Sequence, residues 1–267
     1  MLIDAFAADW IDVLDTRAAA LPPSSHLYLL LEGAFIPGLH SLLADDRKTF
    51  LFSAFPGCTD GAKDVSPFLT EFRQSDKCSR MILERCDRCP MVSVIETPEA
   101  LEDLAKRLAA WCLVEADEQR FNFRYPDTRR LPAVFNILDT LQRSQLAGPA
   151  VRWSFIARNG CWHELDLVPS AGDIATDPQL DKSQFAALVD DSHADELLVL
   201  LGDRGHDTFV HPSANHALLS TALRAAYKTK LDDEDVLEWC EWLWLRGQPV
   251  DEATAISMLA TWRNSAQ

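Results

Sequence analysis

The sequence has no apolar run long enough to cross a lipid bilayer. Its most apolar windows, Leu27 to Leu31 and Leu197 to Leu201, are far shorter than the roughly 20 residues that a membrane-spanning helix needs. The amino-terminal stretch also lacks the basic start of a signal peptide and carries Asp4 and Asp9 where an apolar core would lie. We therefore expect a soluble, cytoplasmic protein with no membrane partner.

Positive charge is scarce. The 267 residues include 25 Lys and Arg against 41 Asp and Glu, which gives a net charge of −16. Nucleic acids and anionic membranes are normally bound through a basic stripe, because their phosphates repel an acidic surface. The composition thus predicts no nucleic-acid binding and favours protein partners.

The seven cysteines are odd in number and irregularly spaced, which is typical of reduced thiols in a cytoplasmic protein. Cys86 and Cys89 form the only Cys-x-x-Cys pair. Cys78 is nearby, but no histidine lies close enough in sequence to complete a zinc site. We interpret these residues as packing thiols and predict no metal and no cofactor, with a metal or redox role as the alternative.

Motifs for catalysis are equally sparse. The glycine-rich loops that cradle phosphates are absent. The spacing of Gly57 and Gly61 around Thr59 is similar to a nucleophile elbow, but the residues after it are poor helix formers. His206, His211 and His216 recur every five residues, whereas two ligands on one helical face need a spacing of three or four. We expect solvated histidines and no enzyme, hence no catalytic residue, with a Thr- or Cys-dependent hydrolase as the remote alternative.

Hydrophobic periodicity predicts an α/β (α+β) lobe with a mixed sheet at residues 1–168, a linker at 169–181 and an all-helical lobe at 182–267. The run from His26 to Gly33 is typical of a buried central strand. Further extended segments are predicted at 49–53, 64–72, 91–95, 112–115, 121–125, 151–156 and 161–165. Helices are predicted at 2–20, after Pro37, around 81–83, after a Thr97 cap, and at 127–141, 184–201, 214–229, 232–245 and 251–262.

The first lobe contains a strand–turn–helix corner at residues 120–131. Phe121, Phe123 and Tyr125 alternate with polar residues, and Asp127 then stands where a helix N-cap belongs. Arg124 and Asp127 are interpreted as an ion pair that fixes the corner, with a direct partner contact as the alternative. As an N-cap, Asp127 would contribute about 1 kcal/mol.

The last two predicted helices are unusually aromatic. Trp239, Trp242, Leu243 and Trp244 are the candidate partner-binding residues, although core packing is the simpler interpretation. Trp239 and Trp242 fall on one helical face while Trp244 points elsewhere, so the three rings cannot all face one core. Any tryptophan ring that is left exposed would suit a peptide-binding groove.

Three segments together resemble a known family. They are Tyr28 to Ala34 with the Pro-Gly-Leu at 37–39, Asp64 to Leu69, and Arg124 to Arg129. Their order and spacing are similar to those of the adaptor chaperones of bacterial type VI secretion, which carry the amino-terminal domain of unknown function 4123. This sequence departs from the family pattern at Pro126, where the family has an aromatic residue, and at Thr128, where it has proline.

The resemblance implies a cytoplasmic, non-enzymatic adaptor that binds a secreted effector and helps to load it onto the VgrG spike protein. It also implies that the helical lobe selects the effector. Six residues would form a scaffold motif: Tyr28, Glu32, Gly33, Arg124, Asp127 and Arg129. The alternative is a general acidic chaperone, or an immunity-like protein, that masks a basic toxin by charge.

Overall fold

The computed structural model describes residues 2–74 and 76–266, with side chains as far as residue 264. The chain divides into two compact units, Leu2 to Leu188 and the residues from Val189 onward, and the division falls inside a long helix, Lys182–Asp203. The first unit combines strands and helices, and the second is helical. The predicted α+β class is confirmed.

A six-stranded sheet forms the centre of the first unit, and a separate hairpin accompanies it. The strands are β1 (His26–Leu31), β2 (Thr49–Phe50), β3 (Phe68–Glu71), β4 (Val92–Thr97), β5 (Leu113–Ala116), β6 (Gln119–Asn122), β7 (Arg152–Ile156) and β8 (Trp162–Glu164). The large sheet has the order β2-β3-β1-β4-β7-β8 with antiparallel pairing, and β5 pairs with β6. The predicted central strand is therefore β1, which lies between β3 and β4.

Both faces of the sheet are covered, which explains why β1 is a continuous apolar run. Leu27, Leu29 and Leu31 pack in one core, whereas Tyr28 and Leu30 pack in the other. Successive side chains of a strand point to opposite faces, so a strand that is buried on both faces needs apolar residues throughout.

Helices of the first unit supply the two covering layers. They are α1 (Trp10–Ala20), α2 (Asp60–Asp64), α3 (Lys77–Arg85), α4 (Leu101–Ala110), α5 (Leu131–Ile137) and α6 (Thr140–Ala147). Leu14 of α1 and Ile82 of α3 pack on the face of Leu29. Leu104 of α4, Val134 of α5 and Leu146 of α6 pack on the face of Leu30.

The second unit has its own core. Its helices are α8 (Pro212–Lys228), α9 (Asp233–Trp244), α10 (Glu252–Ala266) and the part of α7 (Lys182–Asp203) from Val189 onward. Leu201, Leu219, Trp239 and Leu259 are buried together in this core. The four predicted helices are confirmed to within a few residues at each end. Within the described ranges, no helix combines the length and the apolar character needed to span a membrane.

Several predicted element boundaries are wrong because hydrogen bonds from distant residues replace local ones. The predicted first helix begins at Trp10 and not at Leu2, since the N–H groups of Asp4 and Ala7 donate to the carbonyls of Arg158 and Gly160. The predicted cap Thr97 is the last residue of β4, paired with His26, and α4 begins only at Leu101.

Other predicted elements are shorter than expected. The helix expected after Pro37 is a series of 3-10 turns, and the strand expected at 49–53 ends at Phe50. The strand expected at 121–125 ends at Asn122. The helix expected at 127–141 is two helices, because Asp139 interrupts it by capping α6 with its side chain, which accepts from the Gln142 N–H at 2.8 Å.

Candidate functional site

The corner of residues 124–130 is a turn and not a helix start. Asp127 does not cap a helix: α5 begins at Leu131, and the preceding residue is Arg130. The Thr128 N–H donates to the carbonyl of Pro90 at 2.9 Å, so the turn is tied to the segment before β4. Asp127 is therefore not the N-cap of α5 as predicted: its side chain accepts the Arg129 N–H as a cap would, but residues 128–130 form turns and the helix begins only at Leu131.

The Asp127 carboxylate is instead the centre of a buried charge cluster. It is 1% exposed, and it accepts hydrogen bonds from the Arg129 Nε at 3.1 Å, the Arg129 Nη2 at 2.8 Å and the Arg129 backbone N–H at 3.0 Å. Arg124 approaches the same carboxylate with its Nη2 at 3.6 Å. The predicted ion pair of Arg124 and Asp127 is present, but Arg129 makes the shorter contacts.

The corner packs against the turn that follows β1. The guanidinium carbons of Arg124 and Arg129 lie 5.8 and 5.5 Å from the centre of the Phe35 ring, within the range of cation–π contact. Phe35 belongs to the 3-10 turn Gly33–Phe35. A Cβ atom on Gly33 would lie 2.3 Å from the Ser66 carbonyl oxygen, so only glycine fits there. The fold thus brings together residues that are about 90 positions apart.

Glu32 is the second buried acid of this corner. Its side chain accepts a hydrogen bond from the Ala34 N–H at 3.1 Å. Burial raises the pKa of the Glu32 carboxyl to about 7, against the opposing effects of this N–H and of Arg124. The carboxyl therefore changes its charge close to neutral pH.

Tyr28 is the third residue of β1, four positions before Glu32. Its hydroxyl donates to the Glu99 carbonyl at 3.2 Å, and burial raises its pKa to about 12. Of the six predicted scaffold residues, the fold therefore groups Glu32, Gly33, Arg124, Asp127 and Arg129 at one corner.

Cys86 and Cys89 are thiols in the structure. Cys86 and Cys89 are both free, and the Cys86 thiol donates to the Ile82 carbonyl at 3.2 Å. Burial raises the pKa of both thiols, which disfavours the reactive thiolate. Within residues 2–74 and 76–266, no group of three or more His, Cys, Asp or Glu side chains could hold a metal ion.

Thr59 is the N-cap of the five-residue helix α2, and its Oγ1 accepts from the Ala62 N–H at 3.2 Å. A helix therefore does follow it, contrary to the prediction. However, the residues before it form the 3-10 turn Leu51–Ala54, and a nucleophile elbow needs a strand there. His206 is not solvated as predicted, because its Nε2 lies 2.6 Å from Glu241 Oε1 and the side chain is 20% exposed.

The aromatic residues of α9 divide into buried and accessible ones. Trp239 is fully buried, with its indole N–H donating to the Ala222 carbonyl at 3.0 Å, and Leu243 is 1% exposed. Trp242 and Trp244 are half-buried, but the Arg246 guanidinium lies 3.0 Å from the ring centre of Trp242 and covers it. Of these four residues, Trp244 is the one that is half-buried and also lines a groove.

Trp244 lines a groove of about 420 Å³ in the helical unit. The other apolar walls come from the segment just before α8, from the first half of α8 and from the loop between α9 and α10. They are Val210, Ala214, Ala217, Leu218, Pro249 and Val250. Sequence reasoning missed these residues. The signal available in the sequence was the pair Ala214 and Ala217. Two alanines three positions apart lie on the same face of a helix, and their small side chains leave room for another surface.

A second concavity of about 640 Å³ lies in the first unit, between α6 and the segment 166–170. Leu141 and Val168 on its border are 65% and 83% exposed. The Arg143 guanidinium lies 5.2 Å from the centre of the Phe135 ring on its wall. Its apolar border would suit a protein contact.

Comparison with known proteins finds a similarity at the level of a family. No curated protein and no solved structure matches the chain. Residues 27–145 match the profile of a protein family described as Domain of unknown function (DUF4123). That range covers somewhat less than half of the chain and contains every predicted scaffold residue, whereas the helical unit lies outside it. Residues 27–145, with the corner around Asp127, are thus similar to the DUF4123 family.

Proposed function

We propose that this protein is a type VI secretion adaptor, which binds a cognate toxic effector in the cytoplasm and helps to load it onto the VgrG spike. The observation that carries the proposal is the match of residues 27–145 to DUF4123, a family associated with effector adaptors of that system. The match includes the Arg124, Asp127 and Arg129 corner that first indicated the family.

The geometry of the corner supports a scaffold role. The Asp127 carboxylate is buried, and the Arg129 guanidinium and backbone N–H satisfy it. The surrounding groups hold β1 and the turn before α5 together and present no activated nucleophile. Recognition of the effector is then a task for surfaces outside the corner, and the groove at Trp244 is the best candidate.

Co-expression with the effector and the spike encoded beside this gene is the direct test. We expect a stoichiometric complex on size-exclusion chromatography for the wild-type protein. Trp244→Ala should weaken effector binding about tenfold, as expected for an aromatic anchor. Tyr227→Ala is the control, because Tyr227 is an exposed aromatic residue of α8 that does not line the groove. A monodisperse wild-type protein that binds neither partner would refute the proposal.

A second candidate function is a general acidic chaperone that masks basic proteins by charge. The net charge of −16 favours it. Such a chaperone would bind unrelated basic proteins and release them in high salt, because screening weakens contacts between exposed charges. An adaptor with an apolar groove would retain its effector in high salt and ignore unrelated proteins.

A further inference from the structure

The groove at Trp244 has the features of a receptor for apolar side chains. Its volume of about 420 Å³ lies within the range of small binding pockets. Ala214 and Ala217 are exposed on the first two turns of α8, and their small size leaves the groove open. Val210, which also lines the groove, is 53% exposed. Neighbouring exposed apolar side chains of this kind mark interaction sites.

More apolar surface lies next to the groove in the sequence. Phe209 precedes Val210 and is 37% exposed, and Leu245 follows Trp244 and is 68% exposed. The lining also carries the polar side chains Asp207, His211, Asn215, Thr221 and Gln248. Together with the exposed apolar side chains beside it, this mixed lining suits one face of an amphipathic protein segment.

The charge around the groove determines which charge a bound segment would carry. From residue 189 onward the sequence has fourteen acidic and six basic side chains. Among the described residues that line the groove, Asp207 is the charged one, and none is Lys or Arg. The nearby Arg246 lies on Trp242, and Arg204 pairs with Glu241. The charged side chain of the lining and the excess charge of this unit are therefore both negative.

We infer that this groove binds a short amphipathic segment whose apolar face enters beside Trp244 and whose Lys or Arg side chains meet Asp207 and the acidic surface. The inference rests on the proposed function in one respect, namely that the segment belongs to the effector. Apolar contact supplies the affinity, and charge selects the partner and speeds its association.

The probe is a synthetic amphipathic helix of about sixteen Leu and Lys residues, long enough to be marginally helical. The same peptide with every Lys replaced by Glu is the charge control. Binding of each labelled peptide to the full-length protein is measured by fluorescence anisotropy at low and high salt. We expect the Lys peptide to bind and the Glu peptide to bind at least about tenfold more weakly.

Two tryptophan substitutions then separate groove binding from general charge attraction. Ala214→Trp fills the groove and should weaken binding of the Lys peptide about tenfold. Ala260→Trp is the matched control, because Ala260 is exposed on α10 and does not line the groove. Circular dichroism checks the fold of each variant, and Ala217→Trp replaces Ala214→Trp if the latter does not fold.

Three results would overturn the inference: no binding of the Lys peptide, comparable binding of the Glu peptide, or equal binding of the Lys peptide to Ala214→Trp and wild type. A failure of the proposed function would look different. In that case the peptide would bind in the groove while the neighbouring effector would not co-purify with the wild-type protein.

Discussion

The Arg129 guanidinium binds the buried Asp127 carboxylate through two nitrogens, with Nε 3.1 Å from Oδ1 and Nη2 2.8 Å from Oδ2. The two residues are only two positions apart, so the contact closes a tight turn. The same carboxylate also accepts the Arg129 backbone N–H at 3.0 Å. This pair constrains the corner, because a charge-assisted contact through two nitrogens is directional and the carboxylate is buried.

We expect Asp127→Ala to lower the free energy of unfolding by about 3 kcal/mol, since it removes the buried acceptor of three hydrogen bonds from Arg129. The control is Asp139→Ala at the exposed N-cap of α6, which should cost about 1 kcal/mol. Urea denaturation measures both values. Equal losses for the two variants would mean that Asp127 contributes no more than a cap.

Glu32 should make stability depend on pH near neutrality. Its pKa is about 7 in the folded protein against an ordinary value of 4.5, so the folded state holds this proton more tightly than the unfolded state does. The stabilisation from the neutral carboxyl is complete below the ordinary pKa and is lost as pH rises through about 7.

Glu32→Gln keeps an acceptor for the Ala34 N–H and removes the titration. We expect the stability of this variant relative to wild type to rise by about 2 kcal/mol between about pH 5 and pH 8. The measurement is urea denaturation of both proteins across that range. Parallel stability curves would show that Glu32 ionises normally in the fold.

Gly33→Ala should destabilise the turn that carries Phe35. The added Cβ would lie 2.3 Å from the Ser66 carbonyl oxygen, and backbone must move to accommodate it. We expect a loss of at least about 2 kcal/mol in the free energy of unfolding. The matched control is Gly61→Ala in α2, where the nearest atom is 3.9 Å away and a gain of about 0.5 kcal/mol is expected.

Arg107 connects three parts of the first unit and should be sensitive to truncation. It is 5% exposed, pairs with Glu99 at 2.6 Å, and donates to the carbonyls of Gln145 and Gly172. We expect Arg107→Met to cost about 3–5 kcal/mol in thermal or urea unfolding.

Two further variants test the reason for that loss. Lys106→Met should change stability by less than about 0.5 kcal/mol, because Lys106 is 66% exposed. Adding Glu99→Met to Arg107→Met should restore part of the loss, since it removes the unpaired buried acid. If the double variant were less stable than Arg107→Met, the ion pair would not be the cause.

The positions of many elements follow from the sequence alone, because periodicity is a local property. The apolar run of β1 predicts a strand buried on both faces, and the four carboxy-terminal helices repeat at helical spacing. The residues that resemble the adaptor family are likewise readable in the sequence, including Arg124, Asp127 and Arg129.

Element boundaries and contacts depend on residues that are far apart in sequence. Asp127 precedes a helical pattern where a cap would stand, yet the Thr128 N–H is tied to the distant Pro90 carbonyl, residues 128–130 form turns and α5 starts only at Leu131. Nothing local indicates that Phe35 would lie under both arginines.

The helical unit gives the same lesson for the candidate binding residues. The sequence correctly indicates that Trp239, Trp242 and Trp244 cannot share one face. Only the tertiary structure decides that Trp239 is core and that Trp244 meets the start of α8 to form a groove. The cover of Arg246 over Trp242 is a local contact between residues four positions apart. The physical reason is that a sequence pattern fixes which face of an element is apolar, whereas packing between distant elements fixes which part of that face stays open.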